Sequence, residues 1–331
     1  MGAPRILVIR LTALGDVILA LPVAQALRSA VPGASIELLT EAKMVPLLEA
    51  WGAFDRVLAY ERHGVDRGLA GLLGVRRRLA PRYAAVVDLQ GKLRTRILSW
   101  LIPADSKLVL RKRSLGQSLL SLIGRRRPIQ DRHSVDLYLD ALRPLGVERR
   151  LEAPGPEVIA KTPRRIGLGV GASHPTKRWP PERFAELSAL LAAEDPERRF
   201  VLIGGPQDRA ELERLRALVP PALLDPVDPT ALDVAGLAEL IRGLDLLVSV
   251  DSGAAHIAQA VGVRTLVLFG PTAPARWGPR QAPHRALSLY LDCAPCSDVG
   301  GQRCPRPDRD LACMKGLSAA MVAGAIRGDP A

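Results

Sequence analysis

Aromatic side chains make up only 4% of this 331-residue chain, four each of Phe, Trp and Tyr. Stacking bases on aromatic platforms is a main sequence-tolerant grip on single-stranded nucleic acid, and this chain has little to supply it. No apolar run reaches the ~18–20 residues of a membrane-spanning helix. The opening MGAPRILVIRLTALGD has no basic region followed by a long apolar stretch, so it reads as a first core strand and not as a secretion signal, and a cytoplasmic protein is expected. No GxGxxG fingerprint follows that strand, which counts against an NAD or FAD enzyme. Cysteine is missing from the first 292 residues; all four fall between Cys293 and Cys313.

What is present is a Leu/Val/Ala-built core, with 48% hydrophobic residues, and a net charge of +12 that is unevenly placed. Residues 1–163 hold 26 Lys/Arg against 15 Asp/Glu, whereas residues 164–331 hold 20 against 19. Arg76–Arg78, Arg111–Arg113 and Arg125–Arg127 supply much of the excess. Such a field attracts an anionic partner, whether nucleic acid, an anionic lipid surface or a phosphorylated substrate, unless it is simply a solvated basic face. The few aromatics and the absence of a nucleic-acid motif argue against DNA or RNA.

Along the chain an apolar run and a helical pattern alternate. Arg5–Ile9, Ser35–Thr40, Arg56–Ala59 and Ala84–Leu89 read as strands, with helices over Asp16–Ala30, Ala42–Trp51 and Arg132–Leu145. Ala153-Pro154-Gly155-Pro156, with Pro163 soon after, is the best linker candidate. The rhythm then restarts with strands at Arg165–Gly169 and Phe200–Ile203 and helices over Pro181–Ala193 and Ala210–Val219. The expectation is α/β: two doubly wound Rossmann-like domains, residues 1–155 and 164–331, joined by a linker near 153–163 and facing across a cleft.

Three segments gather polar residues just past strand ends, where ligands of parallel sheets bind. After the first strand, Gly15 permits close backbone approach and Asp16 sits near a helix start. An ordinary Asp pKa of roughly 3.9 leaves it ionised at neutral pH, as a general base requires, although a carboxylate in a helix's first turn is also favoured by the dipole alone. GASHPTKRWP, residues 171–180, places Ser173 and then Lys177 and Arg178 after a small-residue loop, a point charge and a fork suited to phosphate or a solvated pair. VSVDSGAAHIAQAVGVRTLVLFGPT, from Val248, is one strand–helix–strand unit. Its Ser252, Gly253 and His256 share one turn with free backbone N–H groups. Asp251 and Ser252 are also ordinary N-cap residues. Because like charges repel, Asp251 is expected to cap the helix or orient a neighbour rather than touch phosphate.

These segments together resemble glycosyltransferase family 9, the ADP-heptose:lipopolysaccharide heptosyltransferases. RLTALGDVILALPVAQALR, VVDLQGKLRTRIL, HSVDLYLDALRPLG, GASHPTKRWP, IGGPQD and VDSGAAHIAQAVGVRTLVLFGPT match the family in order along nearly the whole chain. The resemblance implies a GT-B fold, with acceptor on the N-terminal domain and nucleotide sugar on the C-terminal one. It implies Asp16 as general base, Lys177 neutralising the donor diphosphate, and Ser173, Asp251, Ser252, Gly253 and His256 around the donor. Asp208 falls near the family's acidic ribose contact. Arg62, Arg94 and His133 lie where acceptor-side basic residues are expected. The implied reaction is inverting transfer of a heptosyl residue from ADP-L-glycero-D-manno-heptose to the lipopolysaccharide inner core, with no cofactor required. The implied partners are an ADP-sugar and an anionic lipid-linked oligosaccharide, met by a monomer at the inner face of the inner membrane. Rival readings are a GT-B transferase with another nucleotide sugar or glycan acceptor, a sugar-nucleotide epimerase, and a non-catalytic relative.

Cys293, Cys296, Cys304 and Cys313 follow the pattern C-x2-C-x7-C-x8-C. A CxxC pair with two further cysteines can hold zinc, but this spacing fits no standard zinc ribbon. Structural zinc, reduced thiols and redox pairing all stay open.

Overall fold

A computed structural model describes residues 3–110, 131–148 and 163–328. The basic runs at Arg111–Arg113 and Arg125–Arg127 and most of the expected linker lie outside the described residues. The chain divides into two compact units, one of Met1–Pro128 with Ser134–Ala153, the other of Ile129–His133 with Pro154–Ala331.

The N-terminal unit is built on five parallel strands: β1 (Arg5–Ile9), β2 (Ser35–Glu41), β3 (Arg56–Tyr60), β4 (Tyr83–Asp88) and β5 (Ala104–Val109), in the order β3-β2-β1-β4-β5. A parallel sheet needs cover on both faces, and β1 shows how its side chains divide. Ile6 and Val8 enter one core layer with Val23, Leu27 and Leu139, while Leu7 and Ile9 enter a second with Leu72, Val75 and Leu98. The helix expected over Asp16–Ala30 is two: α1 (Leu14–Ile18) and α2 (Leu21–Ala30). Pro22 causes the break, because it has no N–H to give the Ile18 carbonyl. The helix expected over Arg132–Leu145 likewise stops at Asp140 and resumes as a single 3₁₀ turn, Arg143–Leu145, around Pro144. Three further helices cover the strands: α3 (Val45–Trp51), α4 (Gly68–Arg78) and α5 (Leu93–Leu101).

The C-terminal unit carries β6 (Arg165–Gly169), β7 (Arg199–Ile203), β8 (Leu246–Val250), β9 (Arg264–Phe269) and β10 (Arg285–Ser288), parallel and ordered β10-β9-β8-β6-β7. Trp179, 1% exposed, closes this core. Its ring meets Phe184 edge-on at 4.6 Å and its indole N–H donates to the Leu317 carbonyl at 2.9 Å, tying down the approach to the last helix, Ala319–Arg327. Among the described residues no helix is long and apolar enough to cross a membrane.

Both strand orders contain one reversal. It lies between β1 and β4 in the first sheet and between β6 and β8 in the second. At such a switch point the connections leave in opposite directions and open a crevice at the carboxyl ends of the strands.

Candidate functional site

In the N-terminal unit the loops after β1 and β4 are knitted across the switch point. Arg10, 1% exposed, donates from Nη1 to the Leu89 carbonyl at 2.5 Å, and the Thr12 amide and hydroxyl face the Gln90 side chain at 3.3 Å each. This anchored Arg10 also reaches Asp16, with Nη2 to Oδ1 at 2.5 Å. Tyr138 donates its hydroxyl to the same Oδ1 at 2.9 Å, and the Arg10 guanidinium lies 5.4 Å from the Tyr138 ring centre. The Ala13 amide donates to Oδ2 at 3.3 Å. Asp16 is therefore a carboxylate held from three directions, yet its side chain stays 20% exposed.

In the C-terminal unit the switch point joins the loops after β6 and β8 through a buried ion pair. Lys177 Nζ lies 2.9 Å from Asp251 Oδ2, with the side chains 8% and 7% exposed. The Thr272 hydroxyl donates to the same oxygen at 2.7 Å. Burial pushes the Asp251 carboxyl up, but the charges of Lys177 and His256 and the hydrogen bonds from Lys177 and Thr272 outweigh it, and the net shift is downward. Of the two sequence readings of Asp251, orienting a neighbour is the one seen. Ser252 takes the N-cap position of the helix Gly253–Ala260 with extended backbone, but its side chain makes no capping bond; its hydroxyl meets that of Ser249 at 3.1 Å. The first turn of that helix, with Ser252 and His256, borders the loop that carries the Lys177 ammonium. An ammonium has three donors, and Asp251 engages one of them.

Two contacts fix the Lys177 loop from behind. Thr176 and Gly301 exchange hydrogen bonds, the Gly301 amide donating to the Thr176 hydroxyl at 2.8 Å and that hydroxyl donating to the Gly301 carbonyl at 3.0 Å. Gly300, at φ +95°, leaves no room for a side chain: a Cβ there would come within 2.8 Å of Lys177 Cδ. Asp208 braces the same region. It is 1% exposed, and its Oδ2 accepts from the Gly205 amide at 3.1 Å and the Gln207 side chain at 2.9 Å. Burial raises its carboxyl, against bonds from the Gly205 and Ala172 amides and the charge of Arg178. Ser173, at the loop start, faces its neighbour His174 Nδ1 at 3.0 Å.

Residues 73–302 match the family model described as glycosyltransferase family 9 (heptosyltransferase). The chain belongs to this family. It is 29% identical over 313 residues to lipopolysaccharide heptosyltransferase 1 of Pseudomonas aeruginosa, which spans 88% of this chain and 86% of that one. Among solved structures, a family 9 glycosyl transferase from Veillonella parvula superposes with a TM-score of 0.80 at 24% identity, covering 99% of this chain and 97% of that one. The Escherichia coli heptosyltransferase WaaC with ADP-2-deoxy-2-fluoro heptose gives 0.69 at 22% identity over 98% and 99%. The fold is GT-B, with two Rossmann-like domains.

Within this family 9 chain, the expected donor residues Ser173, Lys177, Asp208, Asp251 and Ser252 fall on the segments after β6, β7 and β8, and Gly253 and His256 in the first turn of the helix Gly253–Ala260. Arg62 is exposed in the turn after β3, and Arg94 on α5 donates to the Tyr60 hydroxyl at 3.0 Å. His133 is counted with the other unit, its Nε2 3.1 Å from the Gly278 carbonyl. The zinc expectation finds no support. None of the four cysteines forms a disulfide, and among the described residues no three His, Cys, Asp or Glu side chains are grouped to hold a metal. Cys313 is instead pushed up to about 11, by burial and then by the neighbouring Cys296, Cys293 and Cys304 thiols. Cys296, Cys304 and Cys313 line a cavity of about 220 Å³ bordered by Thr176 and Pro271.

Sequence reasoning assigned no role to Arg10, Tyr138, Thr272 or Gly300. A charged residue directly after the apolar run RILVI was a usable signal for Arg10, since charge at a strand's carboxyl end is either solvated or functional. Tyr138 gave none, because it stands 122 positions from Asp16.

The buried pair makes a pH-dependent prediction. Asp251→Asn should cost ~3–5 kcal/mol at neutral pH, because it strands a buried ammonium. Since the folded-state pKa of Asp251 is lowered, the wild-type advantage should be complete above the unfolded carboxylate pKa of roughly 3.9 and fade as pH falls below it. Urea midpoints of both proteins across pH 3 to 7 check this; a gap independent of pH would show that the carboxylate charge is not what holds Lys177.

Proposed function

We infer that this protein is an inverting glycosyltransferase that moves a heptosyl residue from ADP-L-glycero-D-manno-heptose to the lipopolysaccharide inner core, either lipid A–Kdo or a heptosyl acceptor. The observation that carries this reading is the Lys177 ammonium, fixed by Asp251 beside a helix N-terminus whose N-cap side chain does not cap it. That arrangement suits a diphosphate that gains negative charge as it leaves.

In this reading the acceptor hydroxyl attacks the anomeric carbon from the side opposite ADP. Asp16 accepts the hydroxyl proton as the new C–O bond forms. Arg10 and Tyr138 hold Oδ1 and so aim the carboxylate; they are positioning residues. The bond to ADP breaks in the same displacement, and its electron pair leaves on the diphosphate. Lys177, the amides at Gly253, the Ser252 hydroxyl and His256 stabilise that charge, and such preorganised electrostatics is usually the largest catalytic contribution. One base and one anion site suffice, and no enzyme nucleophile is required. Asp208 keeps the Gly171–Lys177 loop in place, consistent with the 2.5 Å approach that a Cβ on Gly171 would make to its carboxylate. The basic N-terminal half supports an anionic, lipid-linked acceptor, and with it peripheral placement on the inner face of the inner membrane.

Asp16→Ala should lower kcat by ~10²–10⁴-fold while ADP still binds as to wild type, measured by ADP release and by titration calorimetry. Normal turnover in Asp16→Ala would remove the base assignment. Tyr138→Phe should lower kcat by roughly fivefold to thirtyfold, the loss of one hydrogen bond of ~1–2 kcal/mol to a charged group, with donor KM unchanged. A donor screen by ADP or other nucleotide release should favour ADP-heptose; preference for a different nucleotide sugar would support the rival GT-B reading.

A further inference from the structure

The N-terminal unit has a second surface feature that the transfer reaction does not use. Five of its large apolar side chains are more exposed than buried or nearly so: Val65 at 73%, Leu69 at 69%, Leu73 at 46%, Leu93 at 76% and Trp100 at 75%. All five lie on α4, on α5 or just before α4. The two helices pack side by side over one face of the sheet, with Leu72, Val75, Leu98 and Ile102 turned inward. Their outward stripes follow helical spacing. Leu69, Leu73 and Arg77 recur every four positions on α4, and Leu93, Arg96 and Trp100 recur at three and seven on α5.

The charge around this face is predominantly basic, with the exposed Glu61 at its edge. Between Arg62 and Ala104 the sequence holds nine Arg/Lys and two carboxylates, Asp66 and Asp88. Both carboxylates are buried, at 2% and 0% exposure, and Asp66 is already paired with Arg78 at 2.6 Å. The flanking Asp105 is paired with Arg82 at 3.0 Å. Arg67, Arg77, Lys92 and Arg96 are exposed around the apolar stripes, and Lys107 reaches back to the Trp100 carbonyl at 2.8 Å.

We propose that the α4–α5 face docks on an anionic lipid bilayer, with Leu69, Leu73, Leu93 and Trp100 entering the headgroup–acyl boundary and the surrounding Arg and Lys side chains meeting the phosphates. Neither half of the pattern suffices alone. The stripes offer a nucleic acid one aromatic ring, Trp100, where successive bases need a platform of several, and a second copy of this chain would set like charge against like. Lipid with an anionic headgroup satisfies both, each basic residue near such a surface contributing ~1 kcal/mol and each buried apolar group adding to it. The inference deepens the reading of a lipid-linked acceptor and rests on it, but its test uses neither donor nor acceptor.

The test is co-sedimentation of the full chain with vesicles of phosphatidylcholine containing about one third phosphatidylglycerol. Wild type should bind these at low salt, bind pure phosphatidylcholine at least ~10-fold more weakly, and be released by high salt. L69S/L73S/W100S should weaken binding at least ~10-fold with an unchanged melting temperature, as expected for exposed positions. R77E/R96E should do the same through charge alone. Trp100 emission should shift to the blue on vesicle addition in wild type. Failure of wild type to bind anionic vesicles, or binding that either variant retains, overturns the proposal. So does a wild-type dimer that the serine variant dissociates, or RNA binding in place of vesicle binding. Vesicle binding without heptosyl transfer would count against the function proposed above and leave the surface standing.

Discussion

The ion pair between Lys177 and Asp251 is the constraint on which the candidate donor site depends. It joins the loops after β6 and β8 at the point where the strand order reverses. A lysine buried there without its partner would lose its charge or the fold. With Asp251 and Thr272 in place the ammonium is kept, fixed and directed, and the turn from Ser252 to His256 is set beside it. The carboxylate that seemed out of place in a phosphate-binding turn is therefore what holds the cation there.

The N-terminal unit solves a related problem with the charges exchanged. In the proposed reaction Asp16 is the base, and its side chain is 20% exposed. Arg10 is anchored to the Leu89 carbonyl and reaches the carboxylate, and Tyr138 shares the same oxygen. Each unit thus carries a charge just past the carboxyl ends of its strands: Asp16 is held by Arg10 of its own segment and by Tyr138, and Lys177 by Asp251 from the loop after β8. The chain belongs to glycosyltransferase family 9, and in the function proposed above Asp16 receives a proton while Lys177 faces the leaving diphosphate.

Much of this was legible in the chain itself. The apolar runs at Arg5–Ile9 and Arg165–Gly169 coincide with β1 and β6 because fully buried parallel strands leave an unmistakable continuous pattern. Asp251 and Ser252 directly follow the run that ends in Val250, whereas Asp16 and Lys177 stand seven and eight positions past Ile9 and Gly169. The two helices broken at Pro22 and Pro144 were read as continuous, since amphipathic periodicity persists across a break that only the missing N–H imposes. α4 and α5 were overlooked for a physical reason: their outward faces mix Leu69, Leu73, Leu93 and Trp100 with Arg77 and Arg96, which blurs the periodic pattern. Tyr138 and Thr272 act through contacts 122 and 21 positions away, which no local pattern encodes. The cysteine spacing suggested a metal, but among the described residues no three such side chains are grouped to hold one, and Cys296, Cys304 and Cys313 line a cavity.

The central claim is a single displacement assisted by Asp16 on one side and stabilised departure of ADP on the other. The most direct measurement is the anomeric configuration of the transferred heptose, read by NMR on product made from ADP-heptose of defined configuration. The account predicts inversion relative to the donor. Retention would require a covalent or front-face route for which this site has been given no nucleophile, and would contradict it.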